Sequence, residues 1–423
     1  MSQRKLGYIE SLFYYIHEES FGTNNTLVFA QVSGELKEDI LKRSIEALFN
    51  EHPFLRSKIV EEEGYLWVKS TVKFSDISIE FGEIEGKCED IGEKYLKDPF
   101  SPNGPLWKLK ILRKKKQNWI FLKIHHSVLD AISGINFVRD MIEFYERIEK
   151  NPFEKFDELH MLAPIEQLSG SNKSLTDYIE ENQSIKPSKL DHFAFDKQCP
   201  LEERVTKIHH FEFPKDEYRA IHKTTRSNDI SINSFLVAVA CFAYAKFRGG
   251  KINIPFITPI NLRQKCNPAI SKDNFGLYIT LITTFHEIDP TQNIFTFARK
   301  YKQQLDELIP ITGAMPSDLE TTSYETLKES FTPFRPQDQC FKSGLGLSNA
   351  GNIPFTGKGV DLAIEKIYYN VSRVAGDFPF LLHVSTLNET MFISLSYPKP
   401  LITNQQALQF CSYFIEIIRE HCL

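Results

Sequence analysis

At 423 residues, with 42% hydrophobic and 25% charged side chains, the chain has an ordinary globular composition and is too long for one core, so two domains or pseudo-domains are expected. A formal net charge of −5 supplies no attraction to nucleic acid or to an anionic membrane. Seven scattered cysteines (Cys88, Cys199, Cys241, Cys266, Cys340, Cys411 and Cys422), odd in number and never spaced CxxC, argue against a disulfide framework or a zinc knuckle and for reduced thiols. The opening MSQRKLGYIESLFYY lacks the apolar core and cleavage site of a signal peptide. The longest apolar run, SFLVAVACFAYAKF (234–247), is too short to span a bilayer and reads as a buried helix. A cytoplasmic protein with no membrane span and no nucleic-acid partner is the expectation. The 34 phenylalanines fit a large core.

In chain order, TLVFAQVSG (26–34) reads as a strand. KEDILKRSIEALFNEHPFLRSKI reads as a helix with Ile40, Leu41, Ile45 and Leu48 on one face, broken at His52-Pro53. GPLWKLKILRKKKQNWIFLKIHH gives two strands around a solvated turn at Arg113 to Lys116. AISGINFVRDMIEFYERI follows as a helix, with Ile135, Val138, Met141, Ile142 and Tyr145 at helical spacing. From about 150 to 206 the periodicity weakens while Pro, Ser, Asn and Lys accumulate, which marks a linker. Beyond it VTKIHHFEF reads as a strand, SINSFLVAVACFAYAKF as a helix, and LYITLITTF, SGLGLSN and KIYYNVS as strands.

Residues 379–420 run strand, polar turn, strand, loop, helix, the order and nearly the length of 105–148. The expected division is therefore an N-terminal half over 1–165, a linker over 166–206 and a C-terminal half over 207–423. In the second copy Tyr397-Pro398 occupies the strand-end place held by His125-His126 in the first. A pair required for folding would be wanted in both copies, so its presence in one suggests a chemical task.

A histidine at a strand end facing a cleft can act as a general base, because its ordinary pKa of about 6.5 lies near working pH. Two adjacent histidines on a strand point to opposite faces. Asp130 follows at a helix start, where a carboxylate can cap and is favoured by the helix dipole. The small residues Ala131, Ser133 and Gly134 keep that helix start open.

HHSVLDA (125–131) resembles the HHxxxDG motif of the CoA-dependent acyltransferase superfamily, which includes chloramphenicol acetyltransferase, plant and alcohol acyltransferases, polyketide-associated acyltransferases and the condensation domains of nonribosomal peptide synthetases. Ala131 stands where the family has its final glycine. RKLGYIE (4–10), NEHPFLRSKI (50–59), DPFSPNGPLWKLKIL (98–112), TPINLRQ (258–264), NFGLYITLI (274–282) and GLSNAGNI (346–353) follow the family's order over most of the chain. The resemblance implies an α/β (α+β, two-layer) fold: two chloramphenicol-acetyltransferase-like halves forming a pseudo-dimer with a central tunnel. It implies His126 as catalytic base, His125 as a positioning residue, and Asp130 as a mainly structural partner of Arg263. Ser348 and Asn349 are candidate donors to the oxyanion.

The expected function is a stand-alone, monomeric acyltransferase moving an acyl group from acyl-CoA or an acyl carrier protein in trans to a small-molecule hydroxyl or amine. It needs no metal and no bound cofactor, the acyl thioester being a co-substrate. The alternative is a catalytically silent relative whose cleft binds a lipid, a peptide or a carrier protein. His209-His210 lies mid-strand without a small-residue helix start after it and reads as structural. There is no HExxH, P-loop or GxSxG, and GLGLSNAGN lacks dinucleotide-loop spacing.

Overall fold

The computed structural model describes the chain apart from residues 1, 21, 185–188, 192–194, 196, 198, 318, 320, 332–343, 355–361 and 377. Its architecture is mixed α/β and is built on two large sheets. The first has five strands in the order Ala363–Val371, Asn25–Ser33, Gln117–His125, Trp107–Lys114 and Ile79–Glu83. The second has six: Ile279–Ile288, Ile252–Asn261, Leu345–Asn352, Phe380–Leu387, Thr390–Lys399 and Val205–Phe213. A small sheet of Gln3–Lys5, Tyr65–Ser70 and Ser57–Glu62 flanks the first.

Side-chain alternation explains the first sheet. Val28, Ala30 and Val32 on one strand and Ile120, Leu122 and Ile124 on the next are fully or almost fully buried. The Ala131–Lys150 helix lies over this face with Ile135, Val138, Met141, Ile142 and Tyr145 turned inward. Its close approach requires glycine at 134, where a Cβ would sit 2.8 Å from both Ile124 Cδ1 and Val28 Cγ2. The Glu38–Glu51 helix packs beside it through Leu41, Ile45 and Leu48. The polar turn of the 107–125 hairpin is exposed at residues 114–116, with Lys115 at φ 56°.

The opposite face carries the junction with the second sheet. Phe29 stacks on His210 and Tyr368, with ring centroids 5.8 and 6.0 Å apart. His210 lies 4.1 Å from Tyr368 in a stacked geometry, and burial pushes its pKa down to about 3. This second histidine is thus a neutral packing group, as its mid-strand position indicated. In the second sheet the Ile232–Arg248 helix is buried along Ser234–Ala245 and forms the centre of a separate core. No single helix among the described residues is long and apolar enough to cross a membrane. The six described cysteines are all unpaired, and Cys340 lies outside the described residues.

One strand departs from the order of the chain. Ala363–Val371, read from KIYYNVS, pairs antiparallel with Asn25–Ser33 and so completes the first sheet, from Ala363 opposite Ser33 to Val371 opposite Thr26. The span read as a linker also holds regular structure, with helices at Ile165–Leu168 and Leu175–Ser184. Glu166 is buried there, its Oε1 accepting the Ile9 N–H at the start of the Tyr8–Glu19 helix at 2.8 Å.

Candidate active site

The strand Gln117–His125 ends opposite Asn25, and the next helix begins at Ala131, so five residues make the connection. Asp130 is the helix cap: its backbone is extended, and its Oδ1 accepts the Ser133 N–H at 2.8 Å. The carboxylate also accepts two parallel bonds from Arg263, Nη1 to Oδ2 at 2.7 Å and Nη2 to Oδ1 at 2.9 Å. A fourth bond comes from the Tyr278 N–H at 3.1 Å. Asp130 and Arg263 are only 1% and 3% exposed. Burial alone would raise the Asp130 carboxyl; the adjacent guanidinium and the two backbone donors outweigh it and hold the group below the usual carboxylate range.

Ser133 was expected merely to be small. Its Oγ instead accepts from Arg263 Nη2 at 2.9 Å and from the Gly276 N–H at 3.0 Å, and donates to the Gly276 carbonyl at 2.9 Å. The Asp130 N–H donates to that same carbonyl at 3.1 Å. The segment DNFGLY thereby enters the site through its backbone, and Gly276 is required because a Cβ would lie 2.2 Å from the Tyr278 ring. The Arg263 guanidinium also sits over that ring, 4.7 Å from its centroid.

His126 lies inside this frame with 7% of its surface exposed. Its Nδ1 is 2.9 Å from the Leu129 carbonyl oxygen. A carbonyl can only accept, so Nδ1 carries the proton and Nε2 keeps its lone pair. The Phe13 ring packs against the imidazole at 4.9 Å between centroids. Burial lowers the His126 pKa, partly offset by the Leu129 carbonyl and the Asp130 charge, so the ring is neutral near pH 7. A neutral imidazole with a fixed tautomer and an available Nε2 is the form a general base requires.

His125 turns to other neighbours. It lies among Tyr14, Phe100 and His17, with centroids 6.0, 5.7 and 4.2 Å away, and accepts a long 3.4 Å contact from the Ser127 N–H. Burial, then the nearby His17, His126 and Lys123, hold its pKa well below 6.5. Lys123, two residues earlier, is buried with its ammonium on the Asp98 carbonyl and over the Phe100 ring, and burial brings it down to about 7.

Ser348 and Asn349 lie on the Leu345–Asn352 strand and bond to Tyr369 and Gly351. The Tyr369 hydroxyl lies 2.6 Å from the Ser348 carbonyl and 2.9 Å from its Oγ, while Asn349 Oδ1 accepts the Gly351 N–H at 2.8 Å. His126, Asp130 and Arg263 are therefore brought together, and the Tyr369 hydroxyl that holds Ser348 lies close enough to feel the Asp130 charge. Phe13, His17, Gly276 and Tyr278 were missed as site residues. In the sequence only the NFGLY segment stands out, as part of the family resemblance, and helix position alone does not mark Phe13 or His17.

The condensation-domain family model matches residues 14–422. A curated relative, a wax ester synthase/diacylglycerol acyltransferase of Arabidopsis thaliana, is 31% identical over 172 residues, which are 38% of this chain and 31% of that protein. The chain spans well under half the length of such relatives, down to 1% of an FR901469 synthetase from Dothideomycetidae sp.. Among solved structures, the trichothecene 15-O-acetyltransferase of Fusarium sporotrichioides superposes with a TM-score of 0.75 at 12% identity, covering 100% of this chain and 95% of that one. The starter condensation domain of rhizomide synthetase, solved with C8-CoA and Leu-SNAC, gives 0.69 at 12% identity over 100% and 94%.

Proposed function

This chain belongs to the condensation-domain family, and we propose that it is an acyltransferase moving an acyl group from a thioester to a hydroxyl or amine. The observation that carries the reading is the His126 imidazole, whose Nδ1–H is fixed on the Leu129 carbonyl so that Nε2 is the basic nitrogen. Nε2 removes the proton of the acceptor as its oxygen or nitrogen attacks the thioester carbonyl. The tetrahedral intermediate then collapses, the carbon–sulfur bond breaks, and the imidazolium returns a proton to the leaving thiolate. Asp130 and Arg263 hold the loop rather than touch substrate, and His125 packs behind it. Ser348 and Asn349 remain the proposed oxyanion donors.

The donor is acyl-CoA or an acyl group on a carrier protein, and the relatives support both. The rhizomide domain was solved with C8-CoA, and the relatives include peptide synthetases. Transfer to oxygen is supported by the likeness to a 15-O-acetyltransferase. In this reading residues 1–165 and 207–423 are two acyltransferase-like halves, with thioester and acceptor approaching His126 from opposite ends of a tunnel between them. Excluding bulk water there prevents hydrolysis of the donor.

A catalytically silent binder of lipid, peptide or carrier protein is the second reading, favoured by Ala131 and by the small exposure of His126. One assay separates them: incubation with short and long acyl-CoA, with and without a panel of alcohols and amines, read as free thiol and by intact product mass. Acceptor-dependent thiol release that disappears in His126→Ala supports transfer. No release with any donor supports the silent binder.

A further inference from the structure

The last turn of the Tyr8–Glu19 helix brings His17 and Glu18 to the end of the Gln117–His125 strand. One donor atom from each of His17, Glu18 and His125 lies within 4.8 Å of the other two. The two imidazole centroids are 4.2 Å apart, and Phe100 forms an apolar wall at 6.4 Å from His17 and 5.7 Å from His125. His17 Nε2 is fully buried and has no hydrogen-bond partner among the described residues. Its Nδ1 is 3.1 Å from Glu18 Oε1. An unpartnered buried nitrogen beside a second imidazole and a carboxylate costs free energy unless something binds it.

We propose that His17, His125 and Glu18 form a binding site for one divalent transition cation of the zinc class, separate from the acyl-transfer base. The donor set suits such an ion: two imidazoles and one carboxylate are the ligands of open zinc sites, leaving the fourth position to water. Zinc–nitrogen bonds of about 2.0–2.1 Å place tetrahedral donors roughly 3.3 Å apart. The site must therefore close from its present spacing, and Glu18, with 54% of its side chain exposed, is the arm free to swing. Its exposure also gives the ion an entry from solvent. The long Ser127 contact to His125 is the only hydrogen bond that coordination would replace at that ring among the described residues. His126 takes no part, since its Nδ1 is held by Leu129 and its ring packs on Phe13. An ion here would fasten the end of the first helix to the end of the strand that precedes the base.

The test is metal binding by the whole chain, independent of any acyl donor. The metal-free protein is titrated with Zn²⁺ by calorimetry and with Co²⁺ by its visible ligand-field bands, for wild type, His17→Ala, Glu18→Gln and His126→Ala. The expected result is one ion per chain, tetrahedral or five-coordinate Co²⁺ bands, and affinity at least about 10- to 100-fold weaker in His17→Ala and Glu18→Gln. His126→Ala should bind as wild type does. Glu18→Gln changes an exposed side chain, so its folding is not at issue. Binding unchanged in Glu18→Gln and His17→Ala, no 1:1 binding in the wild type, or loss confined to His126→Ala would each overturn the proposal. Because no outcome depends on turnover, failure of the acyltransferase reading leaves the result intact.

Discussion

Replacing Asp130 with asparagine should cost far more stability than its position at a helix start implies. Asparagine caps helices about as well as aspartate, so the bond from Ser133 N–H can survive. What is lost is the charge. Two bonds from Arg263 and one from the Tyr278 N–H then face an amide that has one acceptor oxygen and two donors of its own. The Arg263 guanidinium, 3% exposed, becomes a buried cation without its counter-charge. Breaking a buried pair from one side costs about 3–5 kcal/mol, a large part of the roughly 5–15 kcal/mol that stabilises ordinary domains. Urea unfolding followed by tryptophan fluorescence reads the loss. The cycle should be closed with Arg263→Met and with the double variant, in which no uncompensated charge remains. The double variant should lose clearly less than the sum of the single losses. A loss below about 1 kcal/mol in Asp130→Asn, or a double variant that loses the full sum, would refute the pairing argument. Unchanged unfolding with abolished turnover would instead make Asp130 a chemical group.

Three further outcomes follow from the same geometry. His126→Ala should lower turnover by about 10²–10⁴, the usual contribution of a general base, while its circular dichroism and melting temperature stay near wild type; turnover within threefold of wild type in the folded variant would remove His126 from the mechanism. Gly276→Ala should destabilise by about 1–3 kcal/mol, because its Cβ would overlap the buried Tyr278 ring, and a variant that melts with wild type would show that the ring gives way freely. Glu166 is pushed up to about 7 from 4.5, chiefly by burial and then by the Glu10 charge. A carboxyl raised on folding contributes stability that is whole below pH 4.5 and is lost as pH rises to about 7, here about 3 kcal/mol at about 1.4 kcal/mol per unit. Glu166→Gln stays neutral and should remove that decline, so the difference in unfolding free energy between variant and wild type should grow from pH 4 to pH 8 in favour of the variant; parallel pH curves would contradict the assignment.

The elements around the site were legible because their signals are local. The apolar run of 117–125 ending in the histidine pair, the helical spacing of Ile135 through Tyr145, and the small residues after Asp130 each lie within one element, and the motif resemblance attached Arg263 to Asp130. What was not legible depends on distant partners. KIYYNVS declares a strand but not that it pairs with residues 25–33, since its alternation satisfies either sheet equally well. Ser133 looks like any small helix-start residue until Arg263 and Gly276 arrive from elsewhere in the chain. His17 reads as one polar position on a helix, and only the fold sets it 4.2 Å from His125. Glu166 falls in a stretch whose composition is that of a linker, and nothing local shows that its carboxyl will be buried at the start of the Tyr8–Glu19 helix.

The basic nitrogen of His126 is therefore set by both parts of the chain. The loop that carries it runs from His125 to Asp130, and its own Leu129 carbonyl fixes the tautomer. The far end of that loop is tied directly, and the near end through Asn25, to residues more than a hundred positions further on. At the far end, the Asp130 N–H donates to the Gly276 carbonyl and its carboxylate holds Arg263 and the Tyr278 N–H. At the near end, His125 pairs with Asn25, whose N–H donates to Ser372 Oγ and whose carbonyl accepts the Ser372 N–H. If residues 261–278 or 372 shift against the first sheet, the loop loses the anchor that aims the Leu129 carbonyl at Nδ1. The imidazole can then exchange tautomers, and the proton moves to Nε2, the nitrogen that the proposed base role needs bare. Substitutions at Arg263 or Ser372, neither of which needs to touch a substrate, should for that reason lower kcat more than they raise KM. An equal effect on both constants would instead place these residues in substrate binding.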